Sequence, residues 1–388
     1  MDIEHIKTIL RNVESQHTFT KFLKTDDLSF TEPGVGNVNY VMRVSSKTDP
    51  RKTVIVKLAG PIIKALGPNY PLDKSRNNLE RKALRKLHDV CPGQVPEVFH
   101  WDKEESFMIM QDLKHYEDMN WALMRGDIKQ GAFRNIVEFA TTLHRVTHKK
   151  YCPEEEFEVM KQTFRNETMR NVHYTYVFTC PWIKDHPANF PSAAAKEYHA
   201  LLYENKRVVS NTLELREIYM TKKECLLHGD MHSGSVMTNG EDVKIIDAEL
   251  VCVGPQSLDL AFLLAHFLYF YHVHRIYPRK DGEDFASRLR TMMCNAVKQY
   301  FREISTWLTE KECETIIQEV VGFTGCEMCK RTFSAAHYHE SDDYPLAEQS
   351  CIRQGVKLIE NYKEIKTIED LMNILQIDSL PLSPSSSG

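Results

Sequence analysis

Two neighbouring stretches of the chain decide how it can fold. Residues 228–237 read HGDMHSGSVM, and residues 243–249 read VKIIDAE. Short apolar runs alternate there with Gly and acidic residues, which is typical of loops and short strands rather than helices. They form a non-helical island, residues 226–255, inside a region of helical periodicity, and we expect the chemistry of the protein there. The two quoted stretches contain three acidic residues within 20 positions of one another: Asp230, Asp247 and Glu249.

The chain upstream of residue 113 has the pattern of a sheet. Runs of β-branched and aromatic residues predict strands at 39–44, 53–58 and 106–110. Between the second and third strands, apolar residues at helical spacing predict a helix over 74–90, which ends at a Cys-Pro-Gly break. We therefore expect a small, mostly β lobe over residues 1–112.

The remainder of the chain changes to helical periodicity. Apolar residues three and four positions apart begin near residue 133 and continue to about residue 375. This predicts a larger, mostly α lobe over residues 113–378, and an α+β fold of two lobes. The tail, residues 379–388, is rich in Ser and Pro and is expected to be disordered.

Composition excludes several classes of protein. The chain has 388 residues, 42% hydrophobic, and 49 basic residues against 54 acidic ones give a net charge of −5, which offers no general attraction to nucleic acid. The longest apolar run, residues 260–271, is shorter than the roughly 20 residues that span a membrane. The N-terminus lacks the pattern of a signal peptide, and the ten cysteines are scattered, as in proteins with reduced thiols. We expect a cytosolic protein without nucleic-acid or membrane partners.

The acidic residues of the island suit phosphoryl transfer. That reaction needs one carboxylate to orient or deprotonate the acceptor hydroxyl, and others to hold Mg²⁺ against the phosphates of the donor. Asp230 fits the first role. Asp247 and Glu249 fit the second, because side chains two apart on an extended segment point the same way.

The first lobe supplies candidates for the donor phosphates. Lys57 lies on an apolar predicted strand, and Glu80 on the following helix is placed to pair with its ammonium group, as in protein kinases. A turn with two glycines, residues 34–39, lies one strand earlier in the chain, and its backbone N–H groups are suited to covering phosphates. The candidate nucleotide-binding residues of this turn are Gly34, Gly36, Asn37 and Asn39.

Each of these residues has a structural alternative when taken singly. In that alternative, Lys57 and Glu80 are solvated surface charges. Asp247 is then the cap of a turn, and His228 is a structural histidine. Their order decides between the two interpretations. A Gly turn, a strand Lys, a helix Glu, a hinge strand, long helices and then the two acidic motifs follow one another as in a two-lobed, protein-kinase-like fold.

Two further patterns invite a metal site. Cys326 and Cys329 have C-x-x-C spacing, but no second pair accompanies them, and we expect bystander thiols. Several histidines lack a supporting carboxylate at helical spacing, so we expect structural or surface roles for them. They are His232, His272, His274, His337 and His339.

The HGD string with I-D-x-E at 246–249 resembles the aminoglycoside phosphotransferase and choline kinase superfamily, small-molecule kinases with the protein-kinase-like fold. Longer strings narrow the resemblance to the methylthioribose kinases. These strings are G-x-G-N-x-N at 34–39, C-P-G-x-V-P-E at 91–97, H-G-D-x-H-x-G-S at 228–235, Gly254-Pro255 with Asp259, and G-C-E-M at 325–328. The resemblance runs from about residue 25 to residue 360.

This resemblance implies that ATP phosphorylates the anomeric 1-hydroxyl of 5-methylthioribose, a step of methionine salvage, in a cytosolic homodimer. It assigns the catalytic Asp to Asp230, the metal ligands to Asp247 and Glu249, and the nucleotide lysine to Lys57. The adenine is expected at the hinge, which comprises Met110, Gln111, Asp112 and Leu113.

The resemblance also implies where the sugar binds. A pair of arginines after the C-E-M string corresponds to Lys330 and Arg331. The chain departs from the family pattern at two positions: Lys330 replaces the first arginine, and Val35 stands where the glycine loop commonly has Asp.

Other functions share the same transfer machinery. A kinase of a choline-like amine, of hydroxylysine or of another pentose would need the same acidic residues. A cationic acceptor calls for a carboxylate or an aromatic cage, whereas a neutral sugar is better held by donors such as Arg331 and Lys330. A pseudokinase that binds nucleotide without turnover is disfavoured, because Lys57, Asp230, Asp247 and Glu249 are intact.

Overall fold

A computed structural model describes residues 3–13, 20–33, 38–64, 67, 69–279, 282–334 and 336–375 of the chain. Gly34, Val35, Gly36 and Asn37 of the predicted glycine turn lie outside the described residues, as does the predicted tail 379–388.

The described strands are short, and most belong to the first part of the chain. They are β1 (Leu28–Thr31), β2 (Tyr40–Ser46), β3 (Thr53–Leu58), β4 (Val98–Asp102), β5 (Phe107–Gln111), β6 (Glu117–Asp118), β7 (Cys225–Leu227), β8 (Val236–Thr238), β9 (Val243–Ile245) and β10 (Cys252–Gly254).

The described helices dominate the rest of the chain. They are α1 (Ile3–Asn12), α2 (Phe22–Thr25), α3 (Arg76–Val90), α4 (Met119–Arg125), α5 (Gln130–Thr147), α6 (Glu154–Thr163), α7 (Glu167–Tyr176), α8 (Ala193–Lys196), α9 (Ala200–Tyr203), α10 (Lys206–Thr221), α11 (Ser257–Ile276), α12 (Phe285–Ile304), α13 (Glu310–Phe333), α14 (Pro345–Asn361) and α15 (Ile368–Leu375).

The first lobe is a five-stranded antiparallel sheet with strand order β1-β2-β3-β5-β4. Alternation along the strands separates its two faces. Val54 and Val56 of β3 pack against α1 and α2, together with Ile109 of β5. Lys57 belongs to the other set and pairs in register with Met108, which packs in the same core as α3. The pleat therefore turns Lys57 towards α3 and away from α1.

The second lobe packs its helices around α11. This helix is apolar on all sides, as a helix enclosed by its neighbours must be, and its residues 257–274 are buried. It contacts α12, α13 and α14. Between α10 and α11, the antiparallel pairs β7–β10 and β8–β9 carry the loops of the island. The fold is thus α+β with two lobes, and no helix of the described residues is long and apolar enough to cross a membrane.

Local predictions agree closely with these elements. The strands predicted at 39–44, 53–58 and 106–110 are β2, β3 and β5, and the helix predicted over 74–90 is α3. The two outer strands of the sheet, β1 and β4, were not predicted, because their side chains are mostly half-buried and give little alternation. The division of the lobes between residues 112 and 113 stays a prediction.

Candidate active site

An ammonium group lies among carboxylates at the boundary of the two lobes. Lys57 Nζ is 2.5 Å from Glu80 Oε1 and also hydrogen-bonds Asp247 Oδ1. Burial opposes the charge of the ammonium, but Asp247 and Glu80 outweigh it and raise the pKa of Lys57. The predicted pair of Lys57 and Glu80 is therefore present and buried, and neither residue is a surface charge.

Three carboxylates converge beside this lysine. Ligand atoms of Glu80, Asp247 and Glu249 all lie within 4.8 Å of one another, and among the described residues they form the group that could hold a metal ion. Burial, followed by the charge of Asp247, raises the pKa of Glu249 to about 8. Oxygen ligands at this separation suit Mg²⁺, and a divalent cation would relieve their repulsion. The residues present therefore fit the metal that a phosphoryl transfer requires.

The backbone brings these carboxylates together in a way that differs from the prediction. The segment is not extended: Asp247 is left-handed, with φ 65° and ψ 49°, and Ala248–Leu250 form a 3₁₀ turn. The prediction that Asp247 and Glu249 share one face of an extended segment is therefore wrong, although the carboxylates do converge. Asn166 holds the turn by donating to the carbonyls of Glu249 and Val251, at 2.8 Å each.

Asn39, predicted as part of the glycine turn, contacts the acidic group instead. Its Nδ2 donates to Glu249 Oε2 at 2.8 Å, and its Oδ1 accepts from Arg76 Nη2 at 2.9 Å. Arg76 Nε is 3.8 Å from the same Glu249 oxygen. Asn39 and Arg76 thus position Glu249. Arg76 was not predicted, because it opens α3 with no motif around it.

Asp259 fixes the backbone of the loop that carries Asp230. This carboxylate accepts hydrogen bonds from the backbone N–H groups of His228 and Gly229, at 2.9 Å each, and lies 3.1 Å from His144 Nε2. Burial opposes ionisation, yet the hydrogen bond with His144 and the other donors lower the pKa of Asp259. The sequence analysis names Asp259 only as part of a motif and assigns it no role. The structure places it in the first turn of α11, where its carboxylate positions the Asp230 loop.

Gly229 is required at its place in that loop. Its φ is +88°, and a Cβ atom there would overlap the carbonyl oxygen of Leu250. The side chain of His228 binds the same region, since its Nε2 is 2.9 Å from the carbonyl oxygen of Ile246. The loop of Asp230 and the loop of Asp247 are therefore packed directly on one another.

Asp230 itself is surrounded by nitrogen atoms. His232 Nε2 is 3.4 Å from its Oδ2, while Arg331 Nη2 is 3.7 Å and His173 Nε2 3.9 Å from its Oδ1. Burial opposes ionisation, but His232, Arg331 and Lys330 outweigh it and hold the pKa of this carboxyl well below its usual range. Asp230 is thus an ionised carboxylate, able to accept the hydrogen bond of a hydroxyl group.

Lys330 and Arg331 are buried rather than exposed on their helix. Both bind Glu327, one turn earlier on α13: Arg331 Nε is 2.5 Å and Lys330 Nζ 3.1 Å from Glu327 Oε1. These contacts outweigh burial and lower the pKa of Glu327. The spacing of three and four residues on a helix is the signal from which this triad could have been predicted.

Histidines complete the surroundings of Asp230. His232 has the structural contact that was expected, and it also lies beside the carboxylate of Asp230, where its ring stacks on His266 at 4.5 Å. His232 Nδ1 accepts from the backbone N–H of Gly234 at 3.0 Å, so the ring proton is on the Nε2 that faces Asp230. His272 and His274, by contrast, bind Gln354 and the carbonyl of Leu123 within the core, as structural histidines do.

The predicted hinge begins within β5, since Met110 and Gln111 still pair with β3, and it continues two residues beyond that pairing. Met110 and Leu113 are buried, whereas Asp112 forms a two-point ion pair with Arg43, at 2.8 and 3.0 Å. Gln111 donates its N–H to Glu97 and accepts from the backbone N–H of Glu97 through its side chain. The Asp112 side chain is thus engaged within the first lobe.

The cysteines are the remaining candidate metal ligands. All ten lie within the described residues as free thiols, and Cys326 and Cys329 are buried on α13. Neither belongs to the metal-compatible group of the described residues.

Comparisons with known proteins agree with this geometry. The chain is 29% identical over 374 residues to a methylthioribose kinase of Bacillus velezensis, covering 91% of each chain. It is 29% identical over 359 residues to a methylthioribose kinase of Exiguobacterium sibiricum, covering 88% of this chain and 90% of the other. The solved structure of a Plasmodium vivax ethanolamine kinase shares the fold, with a TM-score of 0.50 at 13% identity over 90% of this chain and 88% of that one. The phosphotransferase enzyme family matches residues 31–291, and the chain therefore belongs to this family.

Proposed function

We propose that this protein is an ATP-dependent kinase that phosphorylates the 1-hydroxyl of 5-methylthioribose, a step of methionine salvage. The observation that carries the proposal is a half-buried, ionised Asp230, whose Oδ1 atom is enclosed, next to a buried cluster of Glu327, Lys330 and Arg331. Relatives named methylthioribose kinase that align over about nine tenths of the chain support the choice of acceptor.

The donor side of the reaction falls to the first lobe and the loop after β9. Lys57, positioned by Glu80, would bind the phosphates of ATP, and Asp247 and Glu249 would hold Mg²⁺. The bound cation would neutralise charge that develops on the phosphates. Because Asp112 is paired with Arg43, we assign adenine binding to the backbone of residues 110–113 rather than to that side chain.

The acceptor side falls to Asp230. Its carboxylate would accept the hydrogen bond of the sugar hydroxyl and orient the oxygen towards the transferred phosphate. Asp259 and Gly229 set the backbone of this loop, so the carboxylate is held in place before the acceptor arrives. Such preorganisation lowers the cost of reaching a reactive geometry.

Charge at the acceptor site favours a neutral substrate. Two carboxylates, Asp230 and Glu327, face two cations, Lys330 and Arg331. Burial lowers the pKa of the neighbouring histidines, that of His173 to about 4, so they add no charge at neutral pH. A choline-like amine or hydroxylysine would bring an uncompensated positive charge, whereas a pentose would not. Another neutral pentose is therefore the second candidate acceptor.

We also propose a cytosolic homodimer, on the basis of the sequence resemblance alone. Light scattering after size-exclusion chromatography tests the oligomeric state directly, and a single species with the mass of one chain would contradict it.

A coupled assay of ADP release tests the function. The purified protein with Mg·ATP is offered methylthioribose, ribose, choline and hydroxylysine in turn, and Asp230→Asn protein serves as the control for contaminating kinases. We expect kcat/KM for methylthioribose to exceed the values for choline and hydroxylysine at least about 100-fold, because a site built from hydrogen-bonding groups rejects acceptors that leave them unpaired. Turnover of choline or hydroxylysine at a rate equal to that of methylthioribose would overturn the proposal.

A further inference from the structure

Three buried polar atoms near Asp230 lack a hydrogen-bond partner within the described residues. They are Oδ1 of Asp230, Oε2 of Glu327 and Nε2 of His266. Glu327 is fully buried on α13, and His266 is 4% exposed on α11. Buried polar atoms are satisfied in the great majority of native structures, so three at one place require an explanation.

The three residues form one cluster. The guanidinium of Arg331 contacts both carboxylates: Nη2 is 3.7 Å from Asp230 Oδ1, and Nε is 2.5 Å from Glu327 Oε1. The two carboxylates are thus separated by the width of one guanidinium group. His266 Nε2 lies 3.8 Å from Glu327 Oε1, too far for a hydrogen bond.

All three unsatisfied atoms are hydrogen-bond acceptors. The carboxylates of Asp230 and Glu327 are ionised and carry no proton. Ser233 Oγ donates to Asn120 Oδ1 at 2.6 Å, so the nearby Nδ1 of His266, at 2.9 Å, carries the ring proton and donates to Ser233. The Nε2 atom of His266 therefore presents its lone pair.

The missing group must bring several donors without a charge. The charges of two basic and two acidic side chains already cancel at this site, so a bound cation would leave a net positive charge. A molecule with neighbouring hydroxyl groups satisfies both conditions, because each hydroxyl donates one hydrogen bond and is neutral. A ring diol is one such group.

We propose that Glu327 is an acceptor-binding residue, which receives a ring hydroxyl of the sugar at Oε2 while Asp230 receives the reacting hydroxyl. His266 Nε2 accepts from a further donor of the same ligand. The inference rests on the proposed function and adds to it, since the resemblance assigns the sugar contacts to positions 330 and 331. The Nζ of Lys330 and the Nε of Arg331 both hydrogen-bond Glu327. In this proposal Glu327 therefore binds part of the sugar that the resemblance assigns to the two basic residues.

Deoxy analogues of the acceptor test this inference. We expect wild-type protein to lose at least about tenfold in kcat/KM for either 2-deoxy- or 3-deoxy-methylthioribose, the loss of one charge-assisted hydrogen bond. In Glu327→Gln, we expect kcat/KM for methylthioribose to fall by a similar factor and kcat/KM for the same deoxy analogue to change little. The ratio of the two kcat/KM values then falls to within about threefold. The KM for ATP stays unchanged.

Glu319→Gln is the matched control. Glu319 is a second buried glutamate of the same helix, bound to Lys222 at 2.8 Å and to Ser257 at 2.7 Å. We expect this variant to retain the full preference for methylthioribose over the deoxy analogue. If Glu327→Gln does not fold, Glu327→Asp preserves the charge while withdrawing the carboxylate, and the same loss of preference is expected.

Two results would overturn the inference. One is wild-type protein that uses both deoxy analogues within about threefold of methylthioribose, and the other is Glu327→Gln protein that loses the same factor with all three acceptors. Failure of the proposed function looks different: wild-type protein would phosphorylate another sugar but not methylthioribose. The role of Glu327 is then decided by the same ratio, measured with that sugar and its deoxy forms.

Discussion

The Nζ atom of Lys57 hydrogen-bonds the carboxylate of Asp247, a residue 190 positions further along the chain. The same ammonium group contacts Glu80, so one charge joins β3, α3 and the loop after β9. Asp247 is also a member of the group whose oxygens could hold a metal ion. The donor-binding lysine and the metal-binding carboxylate that we propose are therefore held in contact by the fold itself.

We expect Asp247→Ala to abolish the stabilisation of the protein by Mg·ATP. Removal of this carboxylate takes away a metal ligand, and a ligand stabilises only a state that binds it. A thermal-shift titration with Mg·ATP measures the effect. Asp127→Ala, which removes an exposed carboxylate paired with Arg125, is the control and should retain the full increment. A full increment in Asp247→Ala would move the metal role to other residues.

Asp230→Asn should lower kcat by about 100-fold or more and leave ATP binding nearly intact. The amide keeps the size of the side chain but cannot accept the proton of the acceptor hydroxyl, and general-base contributions are usually of this size. Steady-state kinetics give kcat, and calorimetric titration with ATP gives the nucleotide affinity. Turnover within threefold of the wild-type value would contradict the assignment.

Arg331→Lys should raise the KM for the sugar by at least about tenfold and leave the KM for ATP unchanged. Lysine preserves the charge that compensates Glu327 but loses the planar fork of donors, at a cost of roughly 1.5–3 kcal/mol for one charge-assisted hydrogen bond. Lys330→Arg, which introduces the arginine that the sequence resemblance implies at this position, is the reciprocal variant and should bind the sugar at least as well as wild type. Unchanged sugar parameters in Arg331→Lys would indicate a structural role only.

Two glycines with positive φ allow the cost of backbone strain to be measured separately from the cost of steric overlap. Gly93 has φ +76° and open space where an alanine methyl group would lie, whereas a Cβ at Gly229 overlaps the Leu250 carbonyl. We expect Gly93→Ala to cost about 1 kcal/mol of unfolding free energy and Gly229→Ala at least about 3 kcal/mol, because only the second must displace backbone. Urea denaturation measures both, and equal losses would show that the Asp230 loop relaxes freely.

The raised pKa of Glu348 makes the stability of the protein depend on pH. It is buried on α14 with the Ser192 hydroxyl as its donor, and burial raises its pKa to about 7. Between pH 4.5 and about 7 the unfolded chain releases this proton while the folded chain retains it, so its contribution to stability is lost as pH rises.

We therefore expect Glu348→Gln to have the same melting temperature as wild type at about pH 4.5 and a higher one at about pH 8. Glu312→Gln is the contrasting control, because the hydrogen bond from Lys150 lowers the pKa of Glu312 and its loss should destabilise the protein at the higher pH. A Glu348→Gln difference that does not vary with pH would contradict the assigned pKa shift.

The sequence by itself determined the local elements and the identity of the reactive side chains. The strand at 53–58 and the helix ending at Val90 follow from periodicities that involve only neighbouring residues, and the order of Lys57, Glu80, Asp230 and the I-D-x-E motif predicts a two-lobed kinase fold. Local pattern suffices for these features because side-chain alternation and helical spacing act over a few residues.

Only the tertiary structure decided which groups meet and how they are charged. Asn39 binds Glu249 across 210 positions of sequence, and the left-handed backbone of Asp247 replaces the extended segment that its spacing favoured. Glu327 on α13 and His266 on α11 join the site of Asp230 because these two helices pack side by side, and His266 stacks on His232 of the Asp230 loop. Burial and long-range contacts set the pKa of each group and leave three acceptors without donors, and neither effect is encoded in the spacing of residues along the chain.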